Sequence, residues 1–489
     1  MLFGIQYKIV FYLLIKYKKN ISLLKTIIIT MKKIIFIGLI ALSSVGYSQE
    51  HFAGLTTSSR GGLLSSAMNP AEFANATKKV EVNLYGLSIN ASNNKIGFED
   101  IISGKNLETI LFAPGEAVNA RLDAEVYGPS VGLKIGKWGF GVSTKVNGKL
   151  NVVDVDANLG DALINDVISS GLSTTIDYPN NQRVVGTTWG EVGLSVARTI
   201  IDTEKNKFSV GATMKLMFPG SYSNVGLSAF KGTITKDGND IYLDNASAEI
   251  NIAYSGNLAN SFTDFSDYSK SIFGGLNGFA GDIGVSYQRK DKSILDVVKN
   301  RNKYKLSIGA SIKNIGSMTF KDDNNYNTNY KLAIPDAATT NQGYNLNDLQ
   351  NIDNLKDIED KLAAKGYLTN AKNKTDFVVK LPTTLVAYAD LKLISKLYIS
   401  GYIQQKLSDD SDNDQITAQD YITVTPRINL GFFEAYVPLS DSEISGFNAG
   451  FGFRLGGFYL GSGSAITSLL DQKNSKQADI YTGFRWGFL

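Results

Sequence analysis

The chain has no cysteine and one histidine, His51. The first absence excludes a disulfide framework and thiol chemistry; the second excludes a histidine-based metal site. Proline is scarce, with 9 residues against 47 glycines, and the chain carries 24 tyrosines and 25 phenylalanines. That balance points to an aromatic, glycine-rich β protein. Neither a G-x-S-x-G elbow nor a phosphate-binding loop is present. The acidic run "SDDSDNDQ", 408–415, lacks the glycine and terminal glutamate of a calcium loop and reads as a solvated loop. The expectation is a protein that is not an enzyme, with no cofactor and no bound metal.

Acid is missing from the first 48 residues, which hold seven lysines. From Met31 the sequence reads "MKKIIFIGLIALSSVGYSQE". Lys32 and Lys33 form a positive start, Ile34 to Val45 an uncharged apolar stretch, and Gly46 and Ser48 the small residues of a cut before Gln49. This is the grammar of a secretory signal peptide, too short to span ~30 Å of hydrocarbon comfortably. Residues 1–30 read as translated upstream sequence, with Met31 the start, or as a second membrane helix interrupted by Lys16, Lys18 and Lys19. Without residues 1–48 the 49 basic and 46 acidic side chains become 42 and 46, so no basic excess remains for nucleic acid.

Beyond residue 48 no stretch is apolar enough for a membrane helix. Period-two alternation dominates instead. Val131, Leu133 and Ile135 alternate with small or polar residues, Gly136-Lys137 makes a tight turn, and Trp138, Phe140 and Val142 resume. Similar runs recur to the closing "YTGFRWGFL". Short links at 136–137, 200–206, 236–240, 392–395 and 455–457 mostly follow even-numbered strands. Long ones at 91–122, 151–186, 255–279, 316–376 and 464–478 follow odd-numbered strands. A transmembrane, antiparallel, up-and-down β-barrel with both termini in the periplasm sorts its links this way. The count is sixteen strands, fourteen if 224–254 and 419–438 each lose one. An aromatic girdle is expected from Tyr127, Trp138, Trp189, Phe208, Tyr304, Tyr481 and Trp486. Helical patterns appear at 98–112 and, with Leu349, Ile352, Leu355, Ile358 and Leu362 on one stripe, near 347–366.

Charged side chains on a lipid face cost about 2–4 kcal/mol at the bilayer midplane. Parity therefore turns Lys134, Lys215, Lys313, Arg454 and Arg485, with the lone anion Glu249, toward the lumen. The bland reading is a hydrated bore; the functional one is a cationic lining for the anionic head of an amphiphile.

One stretch breaks the β pattern. In "SSAMNPAEFAN", 65–75, Pro70 fixes a dihedral and the Asn69 side chain can close an Asx turn. Residues 49–78 are expected to form a plug inside a barrel spanning 79–489, with Asn69, Pro70 and Ala71 setting its turn.

At this point the chain resembles the FadL-like outer-membrane proteins: an Asn-Pro-Ala motif soon after the signal peptide, a large barrel and an aromatic end. "GDIGVSYQ", 281–288, and "KLSIGASIKNIGS", 305–317, are similar to paired strands of the PorV-type branch, and 453–470 with 478–484 to an uncharacterised branch. The resemblance implies fourteen strands, an N-terminal hatch, hydrophobic cargo and a Gram-negative outer membrane. Gly483, Trp486 and Phe488 resemble the terminal signal read by the barrel-assembly machinery. The expected partners are outer-membrane lipid, that machinery and a hydrophobic ligand. Passive transport of hydrophobic or amphiphilic molecules and a non-transporting subunit of a secretion machine both remain open.

Overall fold

The computed structural model describes residues 51–489 apart from 59, 166–172, 239, 256–273, 292–303, 322–324, 337–342, 350–354, 375 and 489. The expected signal peptide and its upstream extension, 1–48, lie outside the described residues.

Fourteen antiparallel strands close into a ring. They are β1 (Val80–Asn93), β2 (Val118–Tyr127 continued by Ser130–Ile135), β3 (Trp138–Val155), β4 (Gln182–Asp202) and β5 (Asn206–Asp237). Next come β6 (Gly278–Lys290), β7 (Tyr304–Phe320), β8 (Phe377–Lys380 with Thr384–Lys392), β9 (Leu397–Lys406) and β10 (Tyr421–Asn429). The last are β11 (Phe433–Tyr436 with Leu439–Ser442), β12 (Gly446–Ala449 with Phe451–Leu455), β13 (Phe458–Ser462) and β14 (Gln477–Phe488). Each strand pairs with its chain neighbours, and β14 closes on β1, from Val80 opposite Phe488 to Ser92 opposite Gln477. Closure leaves no unpaired edge, as a β-structure in lipid requires.

At the end carrying the two termini, the near end, the described links are short: 136–137, 203–205, 393–396, 430–432 and 456–457. The far end carries 94–117, 156–181, 238–277, 321–376, 407–420 and 463–476, with 443–445 as a short exception.

The ring has the fourteen strands of the lower count and of the resemblance; the two extra strands of the count of sixteen are lost from one region. Residues 222–237 of β5 run beyond the ring and pair with Asp240–Ser255, which pairs in turn with Tyr326–Ile334, and that with Leu368–Lys374. Ser173–Tyr178 covers the other edge of β5. This outer sheet has its own apolar core, in which Ile241, Leu243 and Ile250 pack with Leu159 and Leu362 from covering helices. Alternation reports that one face is buried, not what buries it, so 224–254 mimics a spanning pair. The Asp237-Gly238 turn therefore lies at the far end. Residues 419–438, by contrast, keep both their strands.

The ring is apolar outside and polar inside. Leu133, Phe140, Val142, Leu194, Met214, Ile283 and Val424 face outward. Arg121, Asp123, Lys215, Asp282, Asp390, Arg427 and Glu434 face inward. The expected girdle divides. Trp138 and Trp486 do lie outside, 41% and 57% exposed, whereas Tyr127, Trp189, Tyr304 and Tyr481 are buried within the ring. Several inner rings lie flat over glycines of the adjoining strand, Tyr481 over Gly461 and Tyr459 over Gly483, where no Cβ would fit. A polar bore accepts a tyrosine hydroxyl, so an aromatic side chain does not by itself mark the lipid face.

Candidate functional site: a cavity between two insertions

The first insertion is the N-terminal segment. A one-turn helix, Leu63–Met68, leads through Asn69 into a 3-10 turn, Pro70–Asn75. The Asn69 Oδ1 accepts the Ala71 N–H at 3.0 Å, the Asx geometry expected of Asn-Pro-Ala. Its Nδ2 donates to the Val285 carbonyl on β6 at 2.8 Å.

The wall beneath is cut to receive it. Gly139, Ala197, Gly211, Gly284 and Ser311 stand opposite one another across β3, β4, β5, β6 and β7, one lane of small residues perpendicular to the strands. A Cβ on Gly211 would strike the Pro70–Ala71 peptide, one on Gly284 the Asn69 amide, and one on Gly139 the backbone of Phe73. At the end of the lane the Ser311 hydroxyl donates to the Met68 carbonyl at 2.8 Å.

Polar tethers hold the rest. Lys207 Nζ donates to Ala74 O at 3.0 Å, and Lys134 Nζ to Ala76 O at 2.9 Å. The Ser286 hydroxyl and the Tyr388 hydroxyl both donate to Glu72. On the opposite wall Ser58 Oγ donates to Glu434 Oε1 at 2.7 Å, and Phe52, Ala53 and Leu55 pack with Tyr436, Tyr459 and Tyr481. Contacts on β3 through β8 and on β11, β13 and β14 place the segment inside the ring.

The second insertion is the 407–420 link at the far end. It contains the acidic run expected to be solvated; Asp409 and Asp412 are exposed, but the structure overturns that expectation at Asp410 and Gln415. Asp410 is buried, paired to Arg121 of β2 at 2.7 Å and to Lys406 at 3.0 Å, while its Oδ1 accepts the Ala418 N–H. Arg183 of β4 donates to the carbonyls of Asp410 and Gln415 at 2.5 and 3.1 Å. Ile416 enters an apolar cluster with Tyr222, Phe320 and Phe377. The link thus crosses the bore from β9 and β10 to β2, β4 and β5. Burial disfavours the Asp410 charge, yet Arg121 and Lys406 outweigh it and hold the carboxyl below its usual pKa.

Between the insertions lies a cavity of about 150 Å³. His51, Thr56 and Met68 line it from the N-terminal segment, and Ala418 and Gln419 from the far-end link. The walls contribute Asp123, Glu125, Lys145, Lys149, Glu191, Lys215 and Lys313. Three ion pairs cross it or flank it: Lys145–Glu125 at 3.1 Å, Lys149–Asp123 at 2.9 Å and Lys215–Asp282 at 3.0 Å. Among the described residues no group of three or more His, Cys, Asp or Glu is placed to hold a metal ion.

The cations singled out in the sequence are spread over the bore. Lys215 and Lys313 line the cavity, and Lys134 tethers the N-terminal segment. Arg454 meets Glu434 at 3.4 Å, and Arg485 meets Glu81 at 2.7 Å, both closer to the near end. Glu249 is elsewhere: it is exposed on Asp240–Ser255 of the outer sheet, off the ring, because that strand's alternation serves a different core. Gly483, Trp486 and Phe488 lie on β14, the last two facing outward. Alternation alone did not reveal Arg121, Arg183, Asp390, Arg427 and Glu434. An arginine or carboxylate between β-branched residues was the available signal, at Arg427 within "TVTPRIN" for example.

These features define a fourteen-strand membrane barrel whose bore is occupied by two folded-in segments. Residues 70–463 match the model of a family described as "Family of unknown function (DUF5723)", and the chain belongs to that family. No curated protein matches it. Among solved structures it is similar to the toluene transporter TbuX of Ralstonia pickettii, at 12% identity over 88% of this chain and 94% of that one, with a TM-score of 0.40. A TodX deletion mutant described as a monoaromatic hydrocarbon channel gives 8% identity over 87% and 95%, with a TM-score of 0.43. A Pseudomonas aeruginosa FadL homologue gives 7% over 86% and 91%, with a TM-score of 0.35.

Proposed function

We propose that the protein is an outer-membrane channel through which small amphiphilic molecules pass down their gradient, with residues 51–78 acting as its hatch. The near end then faces the periplasm. One observation carries this reading: the bore is filled by two separately folded segments, held by side-chain tethers, with a cavity left between them. A barrel serving only as scaffold could be filled by its own wall side chains. Of the hydrophobic or amphiphilic cargo expected from the sequence, the charged cavity favours the amphiphilic part. Purified protein in liposomes, offered a panel of fatty acids, aromatic acids and other small amphiphiles, tests it. Uptake above protein-free liposomes is expected; folded protein that passes none of them would overturn the reading.

A second reading, a non-transporting subunit of an envelope assembly, is favoured by the outer sheet. Its separate apolar core builds a far-end body that a simple channel does not need. Stable co-purification with other envelope proteins, together with no uptake, would select it.

A further inference from the structure

Two charges of the cavity are met only at longer range among the described residues, Glu191 by Lys145 directly across the β3–β4 register and Lys313 by Glu125 and Asp282. Lys145, Lys149 and Lys215 are each matched to a carboxylate. Lys313 on β7 and Glu191 on β4 also line the cavity, yet among the described residues neither has a salt bridge or a hydrogen bond. Glu191 is 7% exposed. An enclosed carboxylate that accepts no hydrogen bond is unfavourable, and Glu191 stands out beside three neighbours that are closely paired.

Neutral groups repeat the pattern. Trp189 is 4% exposed and, among the described residues, its indole N–H has no acceptor and the Asn147 amide directly across from it on β3 has a donor unused. Gln419, on the far-end link, has a side-chain carbonyl oxygen with no partner among the described residues. Donors and acceptors thus converge on one small space.

Backbone irregularities aim these groups. The β6–β7 register shifts between Ile312 and Ile315, and Asn314 takes φ of 59°. Such a bulge breaks the alternation, so that consecutive residues Lys313 and Asn314 both line the cavity. Asn314 is clamped there, accepting from Lys215 Nζ at 2.6 Å and donating its N–H to Asp282 at 2.7 Å, which leaves Lys313 uncommitted. A second register shift, between Thr188 and Trp189, falls beside Glu191. Bulges and left-handed non-glycine residues concentrate where a side chain has a task.

We infer that this cavity is a binding site for a small zwitterion, an α-amino acid with an apolar side chain. Its carboxylate is taken by Lys313 with the N–H donors, its ammonium by Glu191 with Gln419, and its side chain lies against Met68. A cavity of about 150 Å³ holds a molecule of roughly six to ten non-hydrogen atoms, the size of leucine. The inference deepens the proposed channel function and rests on the same cavity.

The chain has three tryptophans, and two of them, Trp138 and Trp486, face outward. In full-length protein carrying Trp138→Phe and Trp486→Phe, the remaining indole therefore reports the cavity. Leucine is expected to give a saturable fluorescence change at millimolar concentration. Leucinamide, lacking the carboxylate, and 4-methylpentanoate, lacking the ammonium, are each expected to bind about tenfold or more weakly. Lys313→Met should abolish the preference for leucine over leucinamide, and Glu191→Gln the preference over 4-methylpentanoate. No saturable change with leucine, or equal response to all three compounds in the unsubstituted cavity, would overturn the inference. Leucine binding without liposome uptake would retain the site and remove the channel; uptake without such binding would do the reverse.

Discussion

The side-chain amide of Asn69 occupies the space that a Cβ on Gly284 would need. The same amide donates to the carbonyl of Val285, the next residue of β6. Gly284→Ala should therefore push Asn69 off the wall at a cost of about 1–3 kcal/mol, the usual penalty of overpacking. The ladder bonds of β6 do not involve the glycine side, so the barrel should keep its heat-modifiable gel mobility. Single-channel conductance is expected to rise. Conductance equal to the parent's would show that the contact does not hold the segment.

Pro70→Gly acts on the same turn from the other side. Freedom added to the detached state should loosen the segment by about 0.4–1 kcal/mol, less than the clash at Gly284. Brief openings of the channel are expected, not a permanently open pore, with unchanged gel mobility. A larger effect than that of Gly284→Ala would contradict the ranking.

Asp410 should control the far-end insertion. Asp410→Ala leaves Arg121 without its 2.7 Å partner and Ala418 N–H without its acceptor. Breaking a buried pair typically costs about 3–5 kcal/mol. Protease added at the far end should then cut within 407–420, where the parent resists. The pH dependence has a definite sign. Because the folded-state pKa of Asp410 is lowered, its stabilising contribution is complete above the unfolded value of about 4 and is lost as pH falls through the lowered value. Release of the link in the parent is expected only in that acid range. Release on raising the pH would be the wrong sign.

Much of this architecture is legible in the sequence, and the divisions are physical. Alternation and tight turns are local, so the barrel class, the near-end turns and the Asx turn at Asn69 can be read from neighbouring residues. What covers a strand is not local. Ile241 and Ile250 alternate as a spanning strand would, but pack on Leu159 and Leu362. Tyr481 and Trp189 sit inside because a polar bore can host them. Asp410 looks solvated in the sequence because Arg121 and Arg183, which hold it, are remote, 289 and 227 residues away. The lane from Gly139 to Ser311 needs the register of five strands before five unremarkable small residues become one surface.

Near the other end, Arg427 lies 2.7 Å from Asp390 and 3.5 Å from Glu434, with all three side chains fully enclosed. Arg427→Met should lower barrel stability by about 3–5 kcal/mol, because Asp390 loses its ion-pair partner while Glu434 is left with Arg454. Adding Asp390→Leu should recover part of that loss. Thermal unfolding in detergent measures both. A double variant no more stable than the single would show that the cost lies in packing on Tyr398, over which Arg427 also sits.

Whether residues 51–75 close the bore is read most directly from single-channel conductance in planar bilayers, comparing the full chain with one lacking those residues. Gel mobility first confirms that both are folded. The parent is expected to conduct little, and the deletion to open a stable pore several times more conductive. Equal conductance in the two folded proteins would contradict the assignment of the segment as the hatch.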